Sequence, residues 1–410
     1  MSKPTSDQPI GSNPIKHLGL GAIFAAILAS LYLLFYFLQS ERPNPVSGSL
    51  GWLGWFDQGW YFTSANSLSN LRFEDTHHWY PIGYPLLGAF FFKLLGPHLF
   101  LIVNLTSFLA FFTFFYRTFR EYLGSWLTFL TFLVALLIPV EIQVPHSVRF
   151  PIATQFIIPW NSIPVAAIYA YLIYHSLPLS PPVTSAKSGV IGALVGALFF
   201  LRPVDLVALL PLSIAFLSKL SHQTSHRREA LWAVSGFYAT FGPLLLLSLY
   251  IHGSLNSDYV QTSKNIGLDF SRVLERFALL FIDATPIFGT KENPLIELQP
   301  WLPLALPFFT SWAYLDRRVG GTIVSTALLS LFTYLGYNDL LPTNLFKFNV
   351  IHYFVWLLPY LLAGAVVSML IAVRQPKKLL IPACITLAFN FFCYGMRLEI
   401  ERMPGTEALE

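Results

Sequence analysis

The chain has 410 residues, of which 55% are apolar and 11% charged, with a formal net charge of +4. A water-soluble domain carries roughly 25% charged residues, so this sequence cannot cover a soluble surface and lipid must be part of its solvent. Its basic residues are scattered over many loops with no stripe, which speaks against nucleic acid as a partner.

In chain order, a polar segment, 1–17, precedes a first apolar run over 18–38. At about 20 residues that run can cross the hydrocarbon core. It is too long for a signal-peptide core and lacks an obvious cleavage site, so it reads as a retained anchor. A polar, aromatic-rich loop follows to Pro81, then an apolar helix from Tyr84 to Leu95 that ends at Gly96-Pro97. That helix is too short to cross and is expected at the interface. Further spans are expected at 98–116, 122–139, 152–174, 188–201, 204–219, 230–251, 301–315, 321–337, 353–373 and 379–396. The pair 188–201 and 204–219 reads equally as one long helix broken at Arg202-Pro203. Within the long segment 252–300, residues 269–282 read as an amphipathic helix lying on the membrane. The expected fold class is therefore an all-α polytopic membrane protein of about 11 helices, a single domain over 1–410 with interfacial helices in its first outer loop.

Charge sets the orientation. With 1–17 in the cytoplasm, the inner segments hold Arg117, Arg120, Lys187, Lys219, Arg227, Arg228, Arg317, Arg318, Arg374, Lys377 and Lys378, while most acids fall outside. That asymmetry follows the positive-inside rule. The segments 40–97, 140–151, 252–300 and 338–352 then face outward, and a bacterial inner membrane is the expected setting.

Those outer segments contain the candidate chemistry. Asp57 lies at the start of a helical pattern that puts Tyr61, Ala65 and Leu68 on one face. A carboxylate there serves either as a helix cap or as a general base for an acceptor hydroxyl or amine. His77 and His78 are adjacent, so they do not share a metal, and Pro81, Gly83 and Pro85 mark a rigid turn. Glu141, His146 and Arg149 occupy a short outer stretch, where Arg149 suits a phosphate. Arg202 and Asp205 flank a break between apolar runs; they read as an internal ion pair or as a phosphate contact through Arg202. Lys347, His352 and Tyr353 precede a late span. Cys384 and Cys393 sit in one apolar run and have neither metal-ligand nor disulfide spacing.

Several of these features occur together in a recognisable order. Asp57 shortly after the first span, the helix bearing Tyr61 and Ala65, the run Pro81-Ile82-Gly83-Tyr84-Pro85-Leu86-Leu87, an amphipathic helix ending Phe92-Lys93-Leu94-Leu95-Gly96, and then a second span resemble the GT-C superfamily. These are membrane glycosyltransferases that use polyprenyl-phosphate sugars, protein mannosyltransferases and aminoarabinose transferases among them. The resemblance covers roughly 18–120 in detail and the rest in topology. It implies sugar transfer from a polyprenyl-phosphate carrier to a lipid, glycan or protein acceptor on the non-cytoplasmic face. It also implies Asp57 as the catalytic base, with substrate contacts from Tyr61, His78, Tyr84, Glu141, Arg149, Arg202, Lys347, His352 and Tyr353. A divalent metal near Glu141 stays open, and no cofactor is otherwise implied. The family often has Asp-Glu where this chain has Asp57-Gln58, so no second adjacent acid exists here. The competing reading is a non-enzymatic transporter or flippase of lipid-linked substrates, which predicts internal repeats; none is visible.

Overall fold

The structure, a computed structural model, describes residues 14–144, 146–178, 180–283, 294–338 and 351–401. It is a helical bundle. Six of the described helices are long and apolar enough to cross a membrane, and shorter apolar helices at Ser185–Leu201, Leu302–Leu315 and Val319–Leu335 accompany them. The chain is thus an integral, multi-pass membrane protein.

Helix α1 (Pro14–Leu38) leads into the loop-borne helices α2 (Phe56–Ser69) and α3 (Gly83–Leu95). The face expected of α2 is the buried one: Tyr61, Ala65 and Leu68 all point inward. Helix α4 (Leu101–Leu137) runs for 37 residues. As a straight rod it would measure about 55 Å, nearly twice the hydrocarbon thickness. It is not straight. Gly124 has φ +72° and ψ 169°, a conformation that side chains resist, and the chain reverses there. Phe108 and Phe132 consequently come within 6.0 Å and Phe112 and Phe129 within 6.3 Å, ring centre to ring centre. The two arms are the two spans expected in this region. Helix α1 packs on them, with Phe24 stacked on Phe129 at 4.3 Å.

The all-α expectation gains one addition: a hairpin of β1 (Pro139–Val144) and β2 (His146–Pro151), antiparallel, with Glu141 opposite Arg149. A span was also expected to begin at 152. Instead, a short 3-10 turn, Ile152–Phe156, and an irregular stretch precede α5 (Ser162–Ser176). Pro159 explains the delay, because it offers no N–H and disfavours helix at Ile158.

Helix α6 (Ser185–Leu201) stops at Arg202, a 3-10 turn runs over Pro203–Leu209, and α7 (Leu210–Ser221) follows. These are two antiparallel spans and not one broken helix. At the end of α7, Lys219 Nζ donates to the carbonyls of His175, Leu177 and Ser180, next to the start of α6. Helix α8 (His226–His252) packs along α6. The long segment then forms α9 (Asp258–Ile266) and α10 (Val273–Phe281). The latter falls inside the expected amphipathic helix, but it is clamped to the bundle: Arg276 turns inward and donates to the carbonyls of Asp269 and Leu335. The chain closes with α11 (Leu295–Leu298), α12 (Leu302–Leu315), α13 (Val319–Leu335), α14 (Leu357–Arg374) and α15 (Leu380–Glu401).

The connections gather at two ends. One holds α2, α3, the hairpin, the Arg202 turn, α9, α10 and the short turn Ile351–Phe354. The other joins Tyr122 to Asp316 at 2.7 Å and Ser185 to Glu229 at 3.3 Å.

Candidate functional site

At the first of these ends lies a narrow cleft with room for about 90 Å³. Asp57, Tyr61, Tyr80, Arg202, His352 and Tyr353 line it, and Asn161, Tyr259, Tyr334 and Tyr337 complete the polar wall. The lining comes from segments almost 300 residues apart in the chain and is assembled by local devices.

Asp57 sits in the first turn of α2, yet it is not the cap: Trp55 occupies the cap position, and the carboxylate turns to the cleft. Its Oδ1 accepts a hydrogen bond of 2.5 Å from the Tyr80 hydroxyl. Burial pushes the Asp57 carboxyl above the usual carboxylate range, and the Tyr80 bond partly offsets this. Tyr80 precedes Pro81, which confines it to extended backbone. Gly83, two residues on, permits the closest approach in this region. A Cβ there would lie 2.5 Å from the carbonyl oxygen of Phe200. The N-terminus of α3 therefore rests directly on the end of α6, which brings Tyr80-Pro81 to Arg202.

Arg202 is 7% exposed and Asp205 1% exposed. The guanidinium Nε lies 3.1 Å from Asp205 Oδ2, while its centre is 5.1 Å from the Tyr334 ring and 4.8 Å from the Tyr353 ring. Such cation–π contacts hold a guanidinium in place without using its N–H groups. Its Nη2 is buried with no hydrogen-bond partner among the described residues. A buried, unpaired N–H of this kind costs free energy unless a ligand oxygen meets it. The turn is fixed from below by Asn161, whose Nδ2 donates to the Leu201 carbonyl, and by Tyr169, whose hydroxyl donates to the Asp205 carbonyl. His352 lies flat on Trp160, with ring centres 4.1 Å apart, and Tyr353 stacks on Tyr334 at 4.8 Å.

Two sequence candidates are placed elsewhere. Tyr84 is fully buried behind the cleft, stacked on Phe100, with its hydroxyl on Asn104 Oδ1. His78 is buried too, and both ring nitrogens are engaged, by Ser64 Oγ and the Arg72 carbonyl. Each satisfies its polar atoms inside the protein. Glu141 and Arg149 occupy facing positions on the hairpin. Lys347 lies outside the described residues. Among the described residues no group of three or more His, Cys, Asp or Glu side chains is placed to hold a metal. Tyr259, Tyr334, Tyr337 and Asn161 escaped the sequence reading. Their signal, tyrosines near span ends and in an outer loop, is the one that membrane-interface anchoring also produces.

Solved structures offer one comparison. The chain is similar to the crystal structure of ArnT from Cupriavidus metallidurans bound to undecaprenyl phosphate, with a TM-score of 0.54 and 13% identity. The two share an overall fold. The likeness covers 86% of this chain and 60% of ArnT, so the chain spans less than two thirds of the protein it matches. No family model matches the chain, and no curated protein does either. At 13% identity this likeness speaks for the fold alone; what the cleft does rests on its own residues.

Proposed function

We propose that this protein is a glycosyltransferase that moves a sugar from a polyprenyl-phosphate carrier to a lipid, glycan or protein acceptor at the non-cytoplasmic face. The observation that carries the reading is the sharing of one cleft by the Asp57 carboxylate and the partly unpaired Arg202 guanidinium. The ArnT likeness supports a polyprenyl-phosphate donor, since that protein was solved with undecaprenyl phosphate.

In this mechanism Asp57 accepts the proton of the acceptor hydroxyl or amine as its oxygen or nitrogen attacks the anomeric carbon. The bond from that carbon to the phosphate oxygen breaks, and its electron pair leaves with the polyprenyl phosphate. Attack opposite the leaving group inverts the anomeric centre. Arg202 meets the charge that grows on the phosphate, in a site where fixed donors act more strongly than in water. His352 and Tyr353 border the same space as candidate phosphate or sugar contacts.

Sugar transfer by the purified protein in liposomes tests the reading. Asp57→Asn keeps the shape of the side chain and removes the base, so transfer should fall roughly 10²- to 10⁴-fold. Undiminished transfer by that variant would remove Asp57 from the mechanism. The pH profile gives a second check. A base must be ionised, and burial raises the Asp57 pKa. Activity should therefore be lost as pH falls through that raised value, on a limb lying above the ordinary Asp value of about 3.9.

A further inference from the structure

The two oxygens of Asp57 have different surroundings. Oδ1 accepts the Tyr80 hydroxyl at 2.5 Å, whereas Oδ2 has no hydrogen-bond partner among the described residues. Tyr80 is itself held from three directions. Pro81 restricts its backbone, and its ring lies between Tyr61 at 4.7 Å and Tyr259 at 4.5 Å. Tyr259 is docked in turn, because its backbone N–H donates to the Trp79 carbonyl at 2.9 Å. One residue of the long segment is thereby fastened to the neighbour of Tyr80 and braces its ring.

From this geometry we propose that Tyr80 is the positioning residue for Asp57: its O–H holds Oδ1 and leaves Oδ2 as the proton-accepting atom, with Tyr259 bracing the phenol from the long loop. The proposal rests on the general-base reading of Asp57 and names the device that orients that base. Burial, with Tyr61 and Asp57 nearby, pushes the Tyr80 phenol well above its usual range. The phenol therefore stays protonated and acts as a donor throughout the working pH range. A donor on a carboxylate favours the ionised form, so Tyr80 opposes the effect of burial on Asp57.

The test is a pH–rate profile in liposomes for the wild type, Tyr80→Phe, and a protein carrying 3-fluorotyrosine at position 80. Tyr80→Phe should lower kcat by about tenfold through loss of carboxylate orientation. It should also move the acid limb upward by about one pH unit, with donor KM changed by less than about twofold. The fluorinated phenol is a stronger donor of nearly the same shape, so it should move the acid limb downward even if Tyr80→Phe folds poorly. An acid limb that stays in place in the fluorinated protein would overturn the proposal. So would a Tyr80→Phe variant whose KM rises while kcat and the limb are unchanged, since that marks a substrate contact. If Asp57→Asn is inactive while the Tyr80 variants behave as wild type, only this inference fails; if Asp57→Asn is fully active, the base itself is lost.

Discussion

Arg202 illustrates how one side chain can be structural and available at once. Its Nε is committed to Asp205 and its flat face to two tyrosine rings, while Nη2 has no hydrogen-bond partner among the described residues. The two commitments predict different outcomes for two substitutions. Arg202→Ala strands the Asp205 carboxylate, which is only 1% exposed, and should lower stability by about 3–5 kcal/mol in a detergent-based thermal unfolding assay. Arg202→Lys keeps the charge but loses the planar fork. It should remain folded and raise the KM for the polyprenyl-phosphate sugar by roughly tenfold, the loss of one charge-assisted contact. Equal donor KM in Arg202→Lys and wild type would argue against a phosphate contact at this position. Asp57, Tyr61, Arg202, His352 and Tyr353 were legible in the sequence because charged or hydrogen-bonding groups next to apolar spans stand out. Tyr84 and His78 looked the same and proved to be internally satisfied. Sequence shows that a polar group is present, but it does not show whether a partner such as Asn104 or Ser64 already occupies it.

Among the secondary-structure elements, α3 places the site through a contact of its backbone. Because a Cβ at Gly83 would stand 2.5 Å from the Phe200 carbonyl oxygen, Gly83→Val should force α3 away from α6 and draw Tyr80 away from Arg202. The expected result is destabilisation of about 1–3 kcal/mol together with lost transfer, read by thermal unfolding and by the liposome assay. Near-normal activity at normal stability would show that this contact does not set the cleft. Most spans were visible as apolar runs of sufficient length, and their turns as glycine or proline. The exception, 152–161, is apolar enough to read as membrane-spanning, yet Pro159 and the packing of Trp160 against His352 make it a wall of the cleft. Apolarity reports removal from water, which lipid and protein interior provide alike.

For the molecule as a whole, charge asymmetry and topology make a joint prediction. The end carrying the cleft and the end carrying Lys219, Arg227 and Arg228 lie on opposite sides of the bundle, and the basic end is expected in the cytoplasm. In a background where Cys384 and Cys393 are replaced by serine, Ser47→Cys should react with an impermeant maleimide added outside intact cells or spheroplasts. Thr224→Cys should react only after the membrane is opened. Both positions are exposed. The reverse pattern would place the cleft in the cytoplasm and remove the proposed acceptor face. The overall helical bundle was readable from composition, but the part of the tyrosine wall made by Tyr259, Tyr334 and Tyr337 was not, because that wall forms only when segments from 61 to 353 are brought together.

That dispersion bears on how the protein is made. A chain inserted from its N-terminus delivers Asp57 and Tyr80 early and Tyr334, His352 and Tyr353 much later. In between, the costly Arg202 and Asp205 enter the bilayer region only three residues apart. They can neutralise each other as soon as α6 and α7 form, before the rings that later enclose Arg202 have been synthesised. A nascent chain halted before α13 would therefore already have Asp57, the Tyr80 hydroxyl that holds it and the Arg202–Asp205 pair, and would still lack the far wall of the cleft. Supplying the remainder as a separate polypeptide in the same membrane would be a direct way to watch the site close.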